Sequence, residues 1–89
     1  MTKLSNKILN INDRRTSMRL CSQEWKILDE ACHIEKIHRN KLISLVESNK
    51  AQNLGLSYAT RLFLLLYFRN LTQDQHADNV LESTLKELL

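Results

Sequence analysis

The chain is expected to fold as a mainly helical domain with one short strand, and three observations lead there. One glycine and no proline among 89 residues remove the commonest turn formers and favour helices joined by short connections. Residues 15–20 alternate polar and apolar with period two, the spacing of a strand. From Ser22 the apolar residues change to helical spacing, and three further segments repeat it.

Residues 1–13 are read as a polar, basic arm whose apolar hold is Ile8, Leu9 and Ile11, ending in the turn-prone pair Asn12-Asp13. Such an arm can add a short strand. In Arg15-Thr16-Ser17-Met18-Arg19-Leu20, one face carries Thr16, Met18 and Leu20 and the other Arg15, Ser17 and Arg19. Trp25, Leu28 and Cys32 then fall at i, i+3 and i+7 of a helix running to about Glu35, with Cys21 or Ser22 as its N-cap. Lys36 stands where glycine or asparagine usually ends a helix, so that turn is locally unfavourable.

A second helix is expected from Arg39 to Asn49, built on Leu42, Ile43, Leu45 and Val46. The polar stretch from Asn49 to Gly55 leads to a third, Tyr58 to Asn70, capped by Ser57. Because Leu62 to Phe68 is apolar on nearly every side, that helix should be buried all round. After a polar linker from Thr72 to Asn79, the residues Val80, Leu81, Leu85, Leu88 and Leu89 mark a short fourth helix. The expected organisation is arm 1–13, core domain 14–71 and tail 72–89.

Composition narrows the function. A chain this short has room for one compact domain, and at this size dimerisation commonly adds the missing burial. The N-terminus has no signal-type apolar run, and Leu62 to Phe68 falls far short of the roughly 20 residues a membrane span needs. Two cysteines, Cys21 and Cys32, are too few for a disulfide framework, which fits a reducing, cytoplasmic location. The net charge of +3 is unevenly placed: residues 1–50 hold ten Lys and Arg against six Asp and Glu, whereas residues 51–89 hold three against four. An anionic partner should therefore dock on the first half.

A lone strand leaves its backbone donors and acceptors unpaired. With no second strand of similar quality in the sequence, the economical partner is the same strand of a second copy, antiparallel about a two-fold axis. That arrangement is a two-stranded intermolecular ribbon covering the helices with Thr16, Met18 and Leu20. It presents Arg15, Ser17 and Arg19 outward, and a ribbon of this kind fits the major groove of B-DNA. Arginine can bridge guanine O6 and N7, and serine can pair with several base edges. Met18, Leu20, Trp25, Leu28, Leu42, Ile43, Leu45 and Val46 are the expected dimer core.

The string Arg15-Thr16-Ser17-Met18-Arg19-Leu20, with Trp25 and Leu28 on one helix and Leu42 and Ile43 on the next, resembles the ribbon-helix-helix superfamily of DNA-binding proteins. The Trp on the first helix and the Asn53-Leu54 lead-in to an apolar third helix resemble more narrowly a compact bacterial ribbon-helix-helix domain family, over about Lys7 to Leu71. The resemblance implies an intertwined homodimer on double-stranded DNA, base contacts from Arg15, Ser17 and Arg19, and a phosphate grip by the residues around His38, Arg39 and Asn40. A helix N-terminus with its partial positive charge, joined by Arg39 and Lys41, suits that grip on physical grounds too. Lys36, in place of the usual turn glycine, and Cys21-Ser22, where a proline often opens the first helix, depart from the pattern.

Plainer readings stand beside these. Alternating charge on a strand is ordinarily a solvated face. His33, His38, His76 and Cys32 match no metal-ligand spacing, so neither a metal nor another cofactor is expected. No nucleophile-base pair, phosphate loop or carboxylate pair supports catalysis, so the chain is not expected to be an enzyme. The resulting function is a homodimeric, sequence-specific transcriptional repressor. The alternative is a dimeric interaction module, an antitoxin or adaptor, holding a protein through Leu62 to Phe68 or the C-terminal tail.

Overall fold

A computed structural model describes residues 3–73 and 79–88. Two strands, β1 (Leu4–Ile11) and β2 (Arg14–Cys21), precede four helices, α1 (Ser22–Glu35), α2 (Arg39–Asn49), α3 (Leu56–Gln73) and α4 (Val80–Lys86). The chain divides into two compact units, Met1–Ser44 and Leu45–Leu89, with the continuous helix α2 crossing the division.

In the first unit β1 and β2 form an antiparallel hairpin, in register from Leu4 opposite Cys21 to Ile11 opposite Arg14. This corrects the expectation of one strand per chain: there are two, and the N-terminal arm supplies β1 as a ladder partner of β2 in cis. Asn12 and Asp13 take φ of 51° and 60°, the left-handed values at both central positions of a two-residue type I′ reversal, whose twist matches the flanking strands. Asn and Asp enter that region at less cost than other side-chain-bearing residues. Leu9 and Ile11, two residues apart, are buried on the same face as Thr16, while Asn10 between them and Ile8 just before them are exposed.

β2 leads directly into α1. Cys21, one of the two candidates, is the N-cap, and the Glu24 carboxylate accepts its backbone N–H at 2.8 Å. Trp25, Leu28, Ala31 and Cys32 turn inward as one stripe and join Met18, Leu20, Leu42 and Ile43 in the core. At the far end Lys36 adopts φ 59°. The Ile37 N–H reaches back to the Cys32 carbonyl at 3.1 Å and the Lys36 N–H to His33 at 3.2 Å, the paired bonds of a Schellman motif. Two satisfied carbonyls thus hold a lysine where glycine would sit without strain.

In the second unit α3 begins two residues earlier than expected and runs three further. Ser57 lies inside it, and the helix opens instead at Gly55, whose carbonyl accepts the Ala59 N–H at 3.0 Å. Nor is α3 buried all round: Ala59, Thr60, Phe63, Leu64 and Tyr67 are buried, spaced as one helical stripe, whereas Leu65 is 72% exposed. Phe63 and Tyr67 stack at 5.6 Å, and Phe68 meets Tyr67 edge-on at 5.1 Å. α4 buries Val80, Thr84 and Leu85, with Leu88 just beyond it. It is tied to α3 by Asn70 donating to Thr84 Oγ1 at 3.0 Å and by the Arg69–Glu87 ion pair at 3.1 Å. Leu89 and residues 74–78 of the expected linker lie outside the described residues. Of the residues assigned to a dimer core, all but half-buried Leu45 are buried within a single chain.

Relieving the left-handed strain should be measurable. A non-glycine residue in this region costs roughly 1–2 kcal/mol, and glycine's greater unfolded-state entropy returns about half of that. Lys36→Gly should therefore raise stability by about 0.5–1 kcal/mol, seen as a higher urea midpoint with an unchanged m-value.

Candidate nucleic-acid interface

Residues directly opposite one another in an antiparallel ladder share a face. The register therefore sets Asn10 beside Arg15, Ile8 beside Ser17 and Asn6 beside Arg19, all six exposed, while Leu9, Thr16, Met18 and Leu20 turn toward the core. Arg15, Ser17 and Arg19, the expected base-contacting residues, do lie together on one solvent-facing side of β2. From Leu4 to Cys21 the only acidic residue is Asp13, in the turn, against Lys7, Arg14, Arg15 and Arg19. Arg15 and Arg19 stand in a row on the outward face, whereas Lys7, opposite Met18, and Arg14, opposite Ile11, belong to the other face.

Trp25 ties this surface to the helices. Its indole N–H donates to the Ser5 carbonyl at 3.0 Å, fastening β1 to α1. The ring also receives two cations, Lys7 Nζ at 5.5 Å and the Arg39 guanidinium carbon at 5.0 Å from its centroid. Arg39 is held further by Asp29: its Nε and Nη2 donate to the carboxylate at 3.1, 2.8 and 2.9 Å. With the pair's side chains 29% and 54% exposed, water screens the attraction, and its value is positional more than energetic.

The four residues expected to grip phosphate occupy the first turn of α2 and the position before it, in differing environments. His38 precedes the helix, and its Nδ1 accepts the Asn40 backbone N–H at 3.0 Å, so the imidazole caps the end from which an anion would otherwise be bound. Arg39 is bent onto Asp29 and Trp25, Asn40 is half-buried, and Lys41 is exposed. Sequence reasoning missed Asp29 as the partner of Arg39, and Asn6, Ile8 and Asn10 as neighbours of the β2 triad. The signal for the latter was the two-residue Asn12-Asp13 pair next to the Leu9/Ile11 alternation.

Among the described residues no three His, Cys, Asp or Glu side chains gather as a metal site, and no helix is long and apolar enough to cross a membrane. Both cysteines are free thiols. Burial pushes the Cys32 thiol above its ordinary pKa, the Asp29 carboxylate adds to the rise, and Arg39 opposes it.

A β-hairpin followed directly by two helices, with a basic row on its outer face, defines a small class of domain. Residues 4–68 match the family model described as the ribbon-helix-helix domain, and the chain belongs to that family. The family is typical of DNA-binding regulators and antitoxins, generally non-enzymatic, and its members generally bind DNA and dimerise. No curated protein and no solved structure matches the chain significantly.

Two measurements probe the joint at Trp25. Trp25→Phe keeps an aromatic side chain but removes the donor to Ser5 and shrinks a buried ring, and should cost at least about 0.5–1.5 kcal/mol by circular-dichroism urea titration. Hydrogen exchange of β1 amides should quicken as well. In the folded wild type a thiol reagent should modify half-buried Cys21 well before Cys32, which stays protonated and covered until the chain unfolds.

Proposed function

We propose that the protein is a homodimeric, sequence-specific DNA-binding regulator that represses transcription by occupying promoter DNA. The observation that carries this reading is the exposed row Arg15, Ser17 and Arg19 on an outer face free of carboxylates. β1 occupies one edge of β2, and in the described two-stranded sheet the other edge has no strand beside it. A second copy adds its own β2 there, antiparallel about the two-fold axis, completing the ladder that an open edge lacks. The two central strands then enter the major groove with three outward side chains each. The start of α2 contributes the charge of Lys41 and Arg39, with His38 and Asn40 beside them, to the neighbouring phosphates.

A second reading has its own support. Tyr58 and Leu65, seven residues apart on α3, are 58% and 72% exposed, and seven residues return to one face of a helix. This apolar stripe suits a protein partner, as an antitoxin or adaptor would hold. Loss of a co-purifying protein on Leu65→Asp, in a chain with no salt-dependent DNA affinity, would favour it.

Selection of bound duplexes from a random pool at near-physiological salt, with light scattering for stoichiometry, tests the first reading. It should return a pseudo-palindromic site bound by an even number of chains. Arg19→Ala should lose roughly 1–3 kcal/mol of discrimination at one base pair per half-site while retaining non-specific affinity. Unchanged preference in that variant would remove Arg19 from the reading face.

A further inference from the structure

We propose that β1 is a phosphate-contacting strand: the side-chain amides of Asn6 and Asn10 donate to phosphodiester oxygens on the walls of the groove, while β2 addresses the bases. The inference rests on the dimeric DNA-binding reading above and assigns a division of labour within it. Asn6 and Asn10 are exposed and directly opposite Arg19 and Arg15, so they face the same way as the base-reading row.

Dimensions decide what they can touch. With two β2 strands meeting at the two-fold axis, the sheet runs β1, β2, β2, β1, and its outer strands stand three strand spacings apart, about 14 Å. The major groove is about 12 Å wide. The central pair fits inside it, whereas each β1 lies over a sugar-phosphate backbone.

The residue types suit that place. A primary amide offers two N–H donors and no negative charge, and asparagine is among the side chains that commonly bind phosphate oxygens. Ile8 lies between the two, 60% exposed, with its apolar surface directed at the deoxyribose carbons between successive phosphates. A hairpin filling the groove alone would instead turn the same asparagines onto adenine edges, and the two geometries differ in what a substitution changes.

The test compares the full-length wild type with Asn6→Ala/Asn10→Ala and Asn6→Lys/Asn10→Lys, on the selected duplex and on a scrambled one, over a salt series. Circular dichroism checks that each variant is folded. The alanine pair should weaken binding to both duplexes by the same factor, roughly thirty-fold or more for the four amides of a dimer. Its salt slope should match wild type, because neutral amides displace no counterions. The lysine pair should tighten binding to both duplexes and steepen the slope of log K against log salt by about three to four.

An altered consensus in repeat selection with the alanine pair would place β1 on base edges and overturn the proposal, as would affinity and slope unchanged in both variants. A wild type that selects no duplex would defeat the DNA-binding reading itself. A selective wild type with indifferent variants defeats only the role of β1.

Discussion

The ladder between β1 and β2 is the constraint on which the rest depends. Along β2 every second side chain is committed inward by Met18 and Leu20, which are fully covered, so the intervening Arg15, Ser17 and Arg19 have nowhere to go but out. A slip of one residue would bury two guanidinium groups and expose the core. The type I′ reversal at Asn12 and Asp13 prevents it, because a two-residue loop leaves the strands no freedom of register. The presentation of the basic row thus follows from backbone pairing and burial on the opposite face.

The second fixed point is Trp25. A hydrogen bond to Ser5 binds β1 from the helix side, and two cations over the same ring draw in Lys7 from the hairpin and Arg39 from the start of α2. One aromatic residue therefore relates three segments that are distant in sequence. Arg39 is the more constrained cation, since its Nε and Nη2 face Asp29. A guanidinium has five N–H donors, so those on Nη1 lie outside that fork and retain the charge an anion would meet.

Much of this was legible in the chain. Period two in residues 15–20 located the outward row, and helical spacing gave α2 its limits and narrowed the α1 cap to Cys21 or Ser22. Lys36 was recognisable as a poor helix terminator, and the structure shows the left-handed φ that such a position demands. The hairpin was harder to read because β1 exposes two large apolar residues, Leu4 and Ile8, and so blurs the alternation that Leu9 and Ile11 would otherwise announce. The logic that a strand needs a partner was sound, but the partner lay just upstream, across the two-residue turn at Asn12 and Asp13. The apolar run in α3 misled for a related reason: composition without spacing cannot separate a helix buried on every side from one that leaves Leu65 in water.

Cis pairing changes what a second copy has to supply. Had β2 been the only strand, a monomer would carry a whole strand of unpaired peptide groups on both edges, and folding would be inseparable from association. With β1 in place one edge is satisfied, and the hydrophobic residues assigned to a dimer interface are, apart from Leu45, already buried within one chain. In the proposed dimer, what remains for the partner is the other edge of β2. A single ladder between two cationic strands brings like charges together, since each contributes Arg15 and Arg19 to the same face. That repulsion is relieved when phosphates lie alongside, so DNA should favour the paired state over separate chains, and dimerisation and binding become linked equilibria. The same guanidinium groups that would recognise the groove would then also make the assembly depend on it.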